Sequence, residues 1–421
     1  MHAVRRSLTT RGASFVGAAV VLLAAGILLG QPDVTRIGVL LLAMTAMALL
    51  LVRRHGLGLQ VVRTAVPVRI AIDERAVVTV RVRNGEATAS PVLMAEESID
   101  YALGDRPRFV LPSLRPGESQ EVQYTVRSHS RGVHRIGPLG IRVRDPFGLT
   151  LRSAAVSGDA EIVVLPRVVP LPGARSLGSG IGSEGSVPHM VALHGEDDQT
   201  VREYRDGDDL RRIHWPATAR TGELMVRQED RPAKRRAVVI LDSRSSGHGG
   251  TGRSSSLEWC VTMTASVTAH VVDAGYAVHL VTADAGADTG VHHDESHEQG
   301  LDTLARVALR SDDSLRAVLH AASVLTSQGG LVVYIGGPLG DADARTLAAL
   351  RQPGSTGAAM VIDPDAFTGR GRRGGGEGNA LAKATIASLT SSGWLATLVD
   401  AQTTPPQAWA AVVGAHAVGA R

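Results

Sequence analysis

The first 55 residues constrain the fold most, because they contain two long apolar runs separated by a short turn. The runs extend from about residue 13 to 30 and from about 34 to 52, and Gln31-Pro32-Asp33 lies between them. A helix needs about 20 apolar residues to cross the hydrocarbon core of a bilayer. We therefore predict a transmembrane helical hairpin over residues 1–55. A cleaved signal sequence is the alternative, but a second run follows at once and no convincing small-residue cleavage site is present.

The positive charges near this hairpin predict its orientation. The turn is bordered only by Asp33 and Arg36, whereas most basic residues flank the two outer ends: Arg5, Arg6, Arg11, Arg53, Arg54 and Arg63. Positively charged flanks stay in the cytoplasm. The sequence therefore predicts a multi-pass protein whose soluble domains are cytoplasmic, a reducing compartment that suits its single cysteine, Cys260.

Residues 56–165 show the two-residue period of half-buried strands. Valine or tyrosine alternates with polar residues over 78–82 and 122–126, and Asn84-Gly85 and Pro116-Gly117 supply turns. Strict alternation bounded by turn dipeptides indicates antiparallel strands. We expect a small β-sandwich domain here.

Residues 236–421 change to short apolar runs separated by segments with helical spacing. Five runs are predicted as buried strands: 237–241, 277–282, 331–335, 358–362 and 395–399. Helical spacing occurs over 257–271 and 381–389, and a last helix is predicted to start at Pro405. Strands that alternate with helices indicate a parallel sheet, so we predict a doubly wound α/β domain.

The segments between these elements are predicted as loops or linkers. Residues 243–256, 283–300 and 368–378 are loop-like, and 166–235 is a linker that contains a signature segment. The second loop is rich in histidine and acid, but dense polar residues in a glycine-rich stretch indicate a solvated loop more often than a metal site. A net charge of +3 spread over 421 residues does not indicate nucleic acid binding.

The signature segment carries a closely spaced motif. It reads Arg202-Glu203-Tyr204, then Gly207-Asp208, Arg211, Ile213 and Trp215, followed by Ala219-Arg220 and a Leu224-x-Val226 strand. This block resembles that of the bacterial family called domain of unknown function 58. Residues 131–149 also resemble the upstream segment of that family. The block residues predicted to bind a partner or to fix a domain junction are Arg202, Glu203, Tyr204, Gly207, Asp208, Arg211, Trp215 and Arg220.

The resemblance implies more than the residues do. It implies that the α/β domain is von Willebrand factor A-like and that the protein resides in the bacterial inner membrane. The partner it implies is a MoxR-type AAA+ ATPase, with a transglutaminase-like membrane protein as a further partner. We expect no enzymatic activity, because the sequence shows no nucleophile pattern, no nucleotide-binding loop and no intact metal motif.

Two interpretations of the block remain open on physical grounds. Its arginines and its acidic residues Glu203 and Asp208 can pair with one another at a domain junction, because arginine fits carboxylates bidentately. Alternatively, the same arginines face outward and receive an acidic partner. A catalytic carboxylate is the weakest interpretation, because no Ser, Cys or His nucleophile pattern stands nearby.

The first predicted strand of the α/β domain ends in a degenerate metal motif. The resemblance implies D-x-S-x-S at this point, and the chain has Asp242-Ser243-Arg244-Ser245-Ser246. Asp242 and Ser246 match, but Arg244 supplies no ligand oxygen and opposes Mg²⁺. Gly336-Gly337 also replaces an expected aspartate. We therefore expect neither metal nor cofactor, unless Ser243 or Ser245 takes over as a Mg²⁺ ligand.

These features lead to two hypotheses of function. The first is a membrane-anchored, non-enzymatic interaction or adaptor module that works with a MoxR-type ATPase. The alternative is a membrane-associated hydrolase or cell-envelope enzyme of unknown substrate, which requires a nucleophile or a complete metal site.

Overall fold

A computed structural model describes residues 8–54, 58–173, 199–204, 213–229, 235–283, 296–327, 329–368 and 376–419. The chain forms two compact units. One unit comprises residues 1–169 with 261–265 and 298–309, and the other comprises residues 170–260, 266–297 and 310–421.

The first unit begins with two apolar helices, α1 (Thr10–Leu28) and α2 (Pro32–Arg54), both long and apolar enough to cross a membrane. Buried residues lie seven positions apart on each helix, at Gly12, Ala19 and Gly26 and at Gly38, Thr45 and Val52, and Ala48 on α2 is buried as well. This period keeps two packed helices in register over several turns. A Cβ atom on Gly26 would lie 2.4 Å from Thr35 Oγ1, so the small residue is required for the close approach of the helices.

The rest of the first unit is built mainly from antiparallel strands: β1 (Leu59–Val66), β2 (Arg69–Ala71), β3 (Arg75–Asn84), β4 (Leu93–Ile99), β5 (Arg108–Leu111), β6 (Ser119–Arg127), β7 (Gly132–Arg144), β8 (Leu151–Val156) and β9 (Ala160–Leu165). One sheet has the order β1-β3-β6. The other has the order β2-β9-β7-β4-β5, and β8 also pairs with β7.

The two sheets of this unit share one apolar core. Val78, Val80 and Val82 point into it with no exposed surface, and Val126 is 2% exposed. The alternation seen in the sequence therefore does mark the inward face of these strands.

The second unit starts with a short antiparallel pair, β10 (Gln199–Glu203) and β11 (Met225–Glu229), with α3 (Trp215–Thr221) between them. The later elements of the chain are β12 (Arg236–Leu241), α4 (Ser256–Asp273), β13 (Ala277–Val281), α5 (Ser296–Arg306), α6 (Ser314–Thr326), β14 (Leu331–Gly336), α7 (Asp341–Ala348), β15 (Thr356–Ile362), α8 (Pro364–Phe367), α9 (Glu377–Ser391), β16 (Leu395–Val399) and α10 (Pro405–Gly419). Most of α5 belongs to the first unit.

The five predicted buried strands form one parallel sheet with the order β13-β12-β14-β15-β16. Two predicted loops are shorter than expected, because α5 begins at Ser296 and α9 at Glu377. The sequence also did not identify α6 and α7.

The strand order creates a crevice at one edge of this sheet. The chain adds β13 on one side of β12 and then crosses to add β14 on the other side. Loops from neighbouring strands diverge at such a topological switch point, which is where open α/β sheets bind ligands. The residues that follow β12 and β14 are Asp242 and Gly337, and the Asp242 backbone N–H donates to Ile335 O at 3.0 Å.

Candidate functional site

A buried ion pair occupies the switch point. Arg244 Nε lies 3.0 and 3.1 Å from the two carboxylate oxygens of Asp242, and its Nη2 lies 2.8 Å from Oδ2. The backbone N–H of Arg244 also donates to Asp242 Oδ1 at 3.0 Å. Asp242 is 1% and Arg244 7% exposed. Both carboxylate oxygens are therefore engaged by a cation that belongs to the same loop.

The loops around this pair complete its hydrogen bonds. Arg244 Nη2 donates to Pro338 O at 3.1 Å. The Tyr334 hydroxyl lies 3.0 Å from Asp242 Oδ2 and 2.9 Å from Gly337 O. Burial lowers the pKa of Arg244, but the hydrogen bonds and the charge of Asp242 outweigh it and raise that pKa overall. The guanidinium therefore stays charged at any physiological pH.

Gly336 and Gly337 leave no room for the aspartate that the resemblance implies here. A Cβ atom on Gly336 would lie 2.3 Å from Asp242 Cβ, and one on Gly337 would lie 2.4 Å from Gly247 Cα. A side chain at either position would displace the loop that carries Arg244. The arginine and the two glycines are therefore parts of one arrangement.

Ser246, the second residue of the degenerate motif, is not among the groups that bond Asp242. It is exposed, and its backbone N–H donates to Asp312 Oδ1 at 3.3 Å. Ser243 is buried, and its hydroxyl has no hydrogen-bond partner. Within the described ranges no group of three His, Cys, Asp or Glu side chains has the placement of a metal site.

A histidine and a serine fasten the same loop. His248 Nε2 lies 2.8 Å from Asp242 O, so this nitrogen carries the proton and Nδ1 accepts. The Ser256 hydroxyl then donates to Nδ1 at 2.9 Å and accepts from the Gly249 N–H at 3.0 Å. Burial lowers the pKa of His248, which keeps the ring neutral. The serine–histidine pair resembles an activated nucleophile, but Ser256 has no exposed surface, so no substrate reaches its oxygen.

The signature block is described in part. Gly207, Asp208 and Arg211 lie outside the described residues, and Arg202 is described only as part of β10. Tyr204 is half-buried, and its N–H donates to Leu224 O at 2.8 Å. Glu203 and Arg220 are exposed. Trp215 is 66% exposed at the start of α3, which is capped by His214.

Residues 131–149, the second stretch that resembles the family, lie in the first unit, and two of their polar side chains make several hydrogen bonds. Arg131 Nη1 donates to the carbonyl oxygens of Leu304, Ala305 and Val307, at 3.1, 3.2 and 2.9 Å, at the C-terminal end of α5. Asp145 is 4% exposed and accepts from the N–H of Phe147 at 2.8 Å. Both residues therefore fix local structure.

One arginine does not have the role that the sequence suggested. Arg63 is not a surface charge flanking the hairpin, because it is buried with Glu97, and their side chains have no exposed surface. Arg63 Nε donates to Glu97 Oε1 at 3.0 Å. The two residues are 34 positions apart, and neither lies in a motif, so no local signal could have identified the pair.

Comparisons with known proteins identify the family of one segment. Residues 200–366 match the model described as "Protein of unknown function DUF58". Among curated proteins, none matches the chain.

Parts of solved structures resemble part of this chain weakly. One is the CARDB domain of a Pyrococcus furiosus protein, at 17% identity over 25% of this chain and 87% of that chain, with a TM-score of 0.20. Others are an alkylpurine DNA glycosylase from Pseudomonas fluorescens, at 19% identity over 26% and 31% with a TM-score of 0.18, and a β-glucosidase from Erythrobacter marinus, at 21% identity over 24% and 16% with a TM-score of 0.15. Scores this low assign no fold. The match of residues 200–366, which contain the block, to the model of domain of unknown function 58 supports the family predicted from the sequence.

Proposed function

We propose that this protein is a non-enzymatic, membrane-anchored interaction module. In this proposal α1 and α2 cross the bacterial inner membrane, and the antiparallel strands of the first unit form a β-sandwich. The parallel sheet belongs to a von Willebrand factor A-like domain, and the partner is a MoxR-type AAA+ ATPase. A transglutaminase-like membrane protein is a further partner.

One observation carries the proposal: the block matched by the family model presents an exposed tryptophan. The chain has four tryptophans. Trp394 and Trp409 are 2% and 0% exposed, and the indole N–H of Trp259 donates to Thr403 O at 2.7 Å. Trp215 alone of the four is mostly exposed, at 66%. Exposed tryptophans on a binding surface often contribute most of the affinity, because a partner removes a large apolar area from water.

The switch point supports a binding role over a catalytic one. Arg244 engages both oxygens of the Asp242 carboxylate, and Ser256 is buried. The groups that remain accessible at this edge of the sheet are loops and helix starts, such as exposed Asp341 at the start of α7. We propose that these loops and the Trp215–Arg220 surface contact the ATPase.

The test is affinity capture of the full chain from detergent-solubilised membranes. We expect a MoxR-type ATPase in the eluate, and Trp215→Ala should weaken its capture roughly thirtyfold, the equivalent of about 2 kcal/mol. Tyr101→Ala is the matched control, because Tyr101 is also an exposed aromatic, at 92%, and lies in the first unit. Equal capture by both variants, or repeated captures without an ATPase, would remove the proposal.

A second pair of variants locates the contact on the sheet. Asp341→Lys reverses a charge beside the C-terminal ends of the parallel strands. Asp273→Lys makes the same change at the end of α4, beside the N-terminal ends of these strands. We expect weaker capture only for Asp341→Lys. Arg220→Glu should also weaken capture, and salt near 0.5 M should reduce binding of the unchanged protein.

Orientation has its own test. A fluorescent reporter fused after residue 421 should fluoresce, and alkaline phosphatase fused there should be inactive, because the arginines flank the outer ends of the hairpin. Strong phosphatase activity would place the soluble domains outside the cytoplasm, and with them every proposed partner.

The alternative is a membrane-associated hydrolase, and the contact between Ser256 and His248 is the one observation that favours it. If the loop opened, a fluorophosphonate probe would label the protein, and Ser256→Ala would abolish the labelling. We expect no labelling, since the serine hydroxyl is buried and already bonded on both sides.

A further inference from the structure

The tip of the β7–β8 hairpin, residues 145–150, lies against the ends of the two apolar helices. The Thr9 N–H donates to Leu149 O at 2.9 Å, and the Thr9 hydroxyl donates to Gly148 O at 2.7 Å. On the other helix, the Thr150 hydroxyl lies 3.5 Å from Ala48 O. The tip is therefore held beside the start of α1 and the last two turns of α2.

The tip has a fixed shape that turns one aromatic side chain outward. Buried Asp145 accepts from the Phe147 N–H at 2.8 Å and from the Thr150 hydroxyl at 2.9 Å. The Gly148 N–H donates to Asp145 O at 3.0 Å, and Gly148 has a φ of +70° that favours glycine. With the backbone fixed in this way, Phe147 is 53% exposed.

The charges around the tip mark a boundary between apolar and polar surroundings. Exposed Arg11 stands in the first turn of α1, and the apolar run begins after it. Arg144 and Arg152 flank the tip on β7 and β8, and Arg152 Nη1 lies 3.4 Å from Val52 O in the last turn of α2. An apolar tip flanked by arginines, next to two apolar helices, matches the boundary between the acyl chains and anionic headgroups of a bilayer.

We propose that the β7–β8 tip is a third membrane contact, in which Phe147 enters the lipid interface while Arg144 and Arg152 face the phosphates. It rests on the proposed membrane insertion of α1 and α2. The exposed side of Phe147 contacts lipid in this proposal, because the hydrogen bonds to Thr9 and Ala48 hold the tip beside the two membrane helices. The contact limits how the strands of the first unit can tilt on the bilayer.

The experiment places an environment-sensitive label on the full chain in vesicles of phosphatidylethanolamine and phosphatidylglycerol. Phe147→Cys is labelled with a nitrobenzoxadiazole probe, and quenching by lipids spin-labelled near the headgroup is measured. Cys260 does not compete for the label, because it is fully buried and burial raises the pKa of its thiol. We expect a blue-shifted emission and at least a twofold loss of intensity.

Two matched variants make the result decisive. Val68→Cys has similar exposure, 55%, but Val68 lies at the far end of β7 from the tip, about 35 Å away at 3.3 Å per residue. We expect no quenching there. Val20→Cys, at 56% exposure in the middle of α1, reports insertion itself, and its quenching is measured with lipids spin-labelled deep on the acyl chain.

The outcomes separate the two proposals. Quenching at positions 20 and 147 but not at 68 supports the third contact. If position 20 is quenched and position 147 behaves like position 68, the third contact is wrong and the anchor stands. If position 20 is not quenched, both the anchor and the third contact are wrong.

Discussion

In the described part of the chain, each unit buries an arginine–carboxylate pair, and the two pairs differ in how completely they are hydrogen-bonded. In the second unit, Asp242 uses both oxygens on Arg244 and also receives the Tyr334 hydroxyl. In the first unit, Arg63 approaches only one oxygen of Glu97. Among the described residues, Glu97 Oε2 and the Tyr124 hydroxyl are buried with no hydrogen-bond partner.

This difference changes what each pair contributes. Burial raises the pKa of Glu97, although its hydrogen bond with Arg63 lowers it, and burial also raises the pKa of Tyr124. A buried ion pair offsets its desolvation only when its remaining polar atoms are bonded. The Asp242–Arg244 pair meets that condition and fixes a loop, whereas the Arg63–Glu97 pair leaves polar atoms unbonded in a core.

The largest expected effect follows from breaking the complete pair. Arg244→Ala leaves Asp242 buried without its cation, and we expect a loss of about 3–5 kcal/mol in the unfolding free energy. Arg63→Ala should cost less at neutral pH, because Glu97 can take up a proton. The tryptophans all lie in the second unit, so their fluorescence during urea denaturation measures the unfolding free energy of that unit in Arg244→Ala. Equal losses for the two variants, with hydrogen exchange reporting the first unit, would contradict the comparison.

Replacing each pair by apolar residues should separate them further. Arg63→Met with Glu97→Leu removes the unbonded atoms, so we expect the first unit to be unchanged or stabilised by about 1–4 kcal/mol. Asp242→Leu with Arg244→Met should destabilise the second unit, because the Tyr334 hydroxyl and Pro338 carbonyl lose partners at about 1–3 kcal/mol each. Hydrogen exchange in β3 and β14 measures the change in stability of the first and the second unit. A change of the same sign in both units would contradict this prediction.

The stabilities of the two units should change with pH in opposite directions. Burial holds the pKa of His248 below its ordinary value of 6.5, so its contribution is present above pH 6.5 and is lost as the pH falls. The pKa of Glu97 is raised above 4.5, so its contribution is present below pH 4.5 and is lost as the pH rises. Each unit of pKa difference corresponds to about 1.4 kcal/mol.

Two variants separate the contributions of His248 and Glu97 to the pH dependence of stability. His248→Gln should flatten the pH dependence of tryptophan-detected stability between pH 7.5 and 5.5. Glu97→Gln should flatten that of exchange protection in β3 above pH 4.5. A slope that neither variant changes would assign the pH response to other groups.

The smallest expected effect is that of divalent cations on the unchanged protein. Millimolar Mg²⁺ should leave the melting temperature of the unchanged protein where it was, because Arg244 already holds both Asp242 oxygens. In Arg244→Ser those oxygens are released, and Mg²⁺ should restore part of the lost stability, up to about 2.7 kcal/mol at a hundred times its dissociation constant. A rise in the unchanged protein that Asp242→Ala abolishes would show that metal displaces the arginine.

Local patterns predicted the strands well and the polar pairs poorly. The predicted run 331–335 matches β14 to within one residue, since a strand buried on both faces is apolar along nearly its whole length. By contrast, α7 has eight residues and too narrow an apolar stripe to stand out, and α5 starts inside a polar stretch that resembled a loop.

Only part of the candidate site was predicted from the sequence, because Tyr334, His248 and Ser256 were not identified. Asp242-x-Arg244 was recognised as a broken metal motif, yet nothing in the sequence says that the guanidinium turns back onto the carboxylate two positions earlier. The contributions of Tyr334 and Gly336 depend on the alignment of β12 with β14, which local spacing does not contain. The sequence identified Arg63 only as a positive charge after the hairpin, since its partner Glu97 is brought to it by the fold.

The contact between Thr9 and the β7–β8 tip also imposes an order of events during synthesis. Thr9 and Leu149 are 140 positions apart, so the base of the helical pair lacks its partner until residue 149 has left the ribosome. At 5–20 residues per second, that delay is roughly 7–28 s. For the part of this delay that follows completion of α2 at Arg54, α1 and α2 are held by their own packing alone, which makes the close approach at Gly26 and Gly38 a requirement of assembly. A substitution there would act before the rest of the first unit exists.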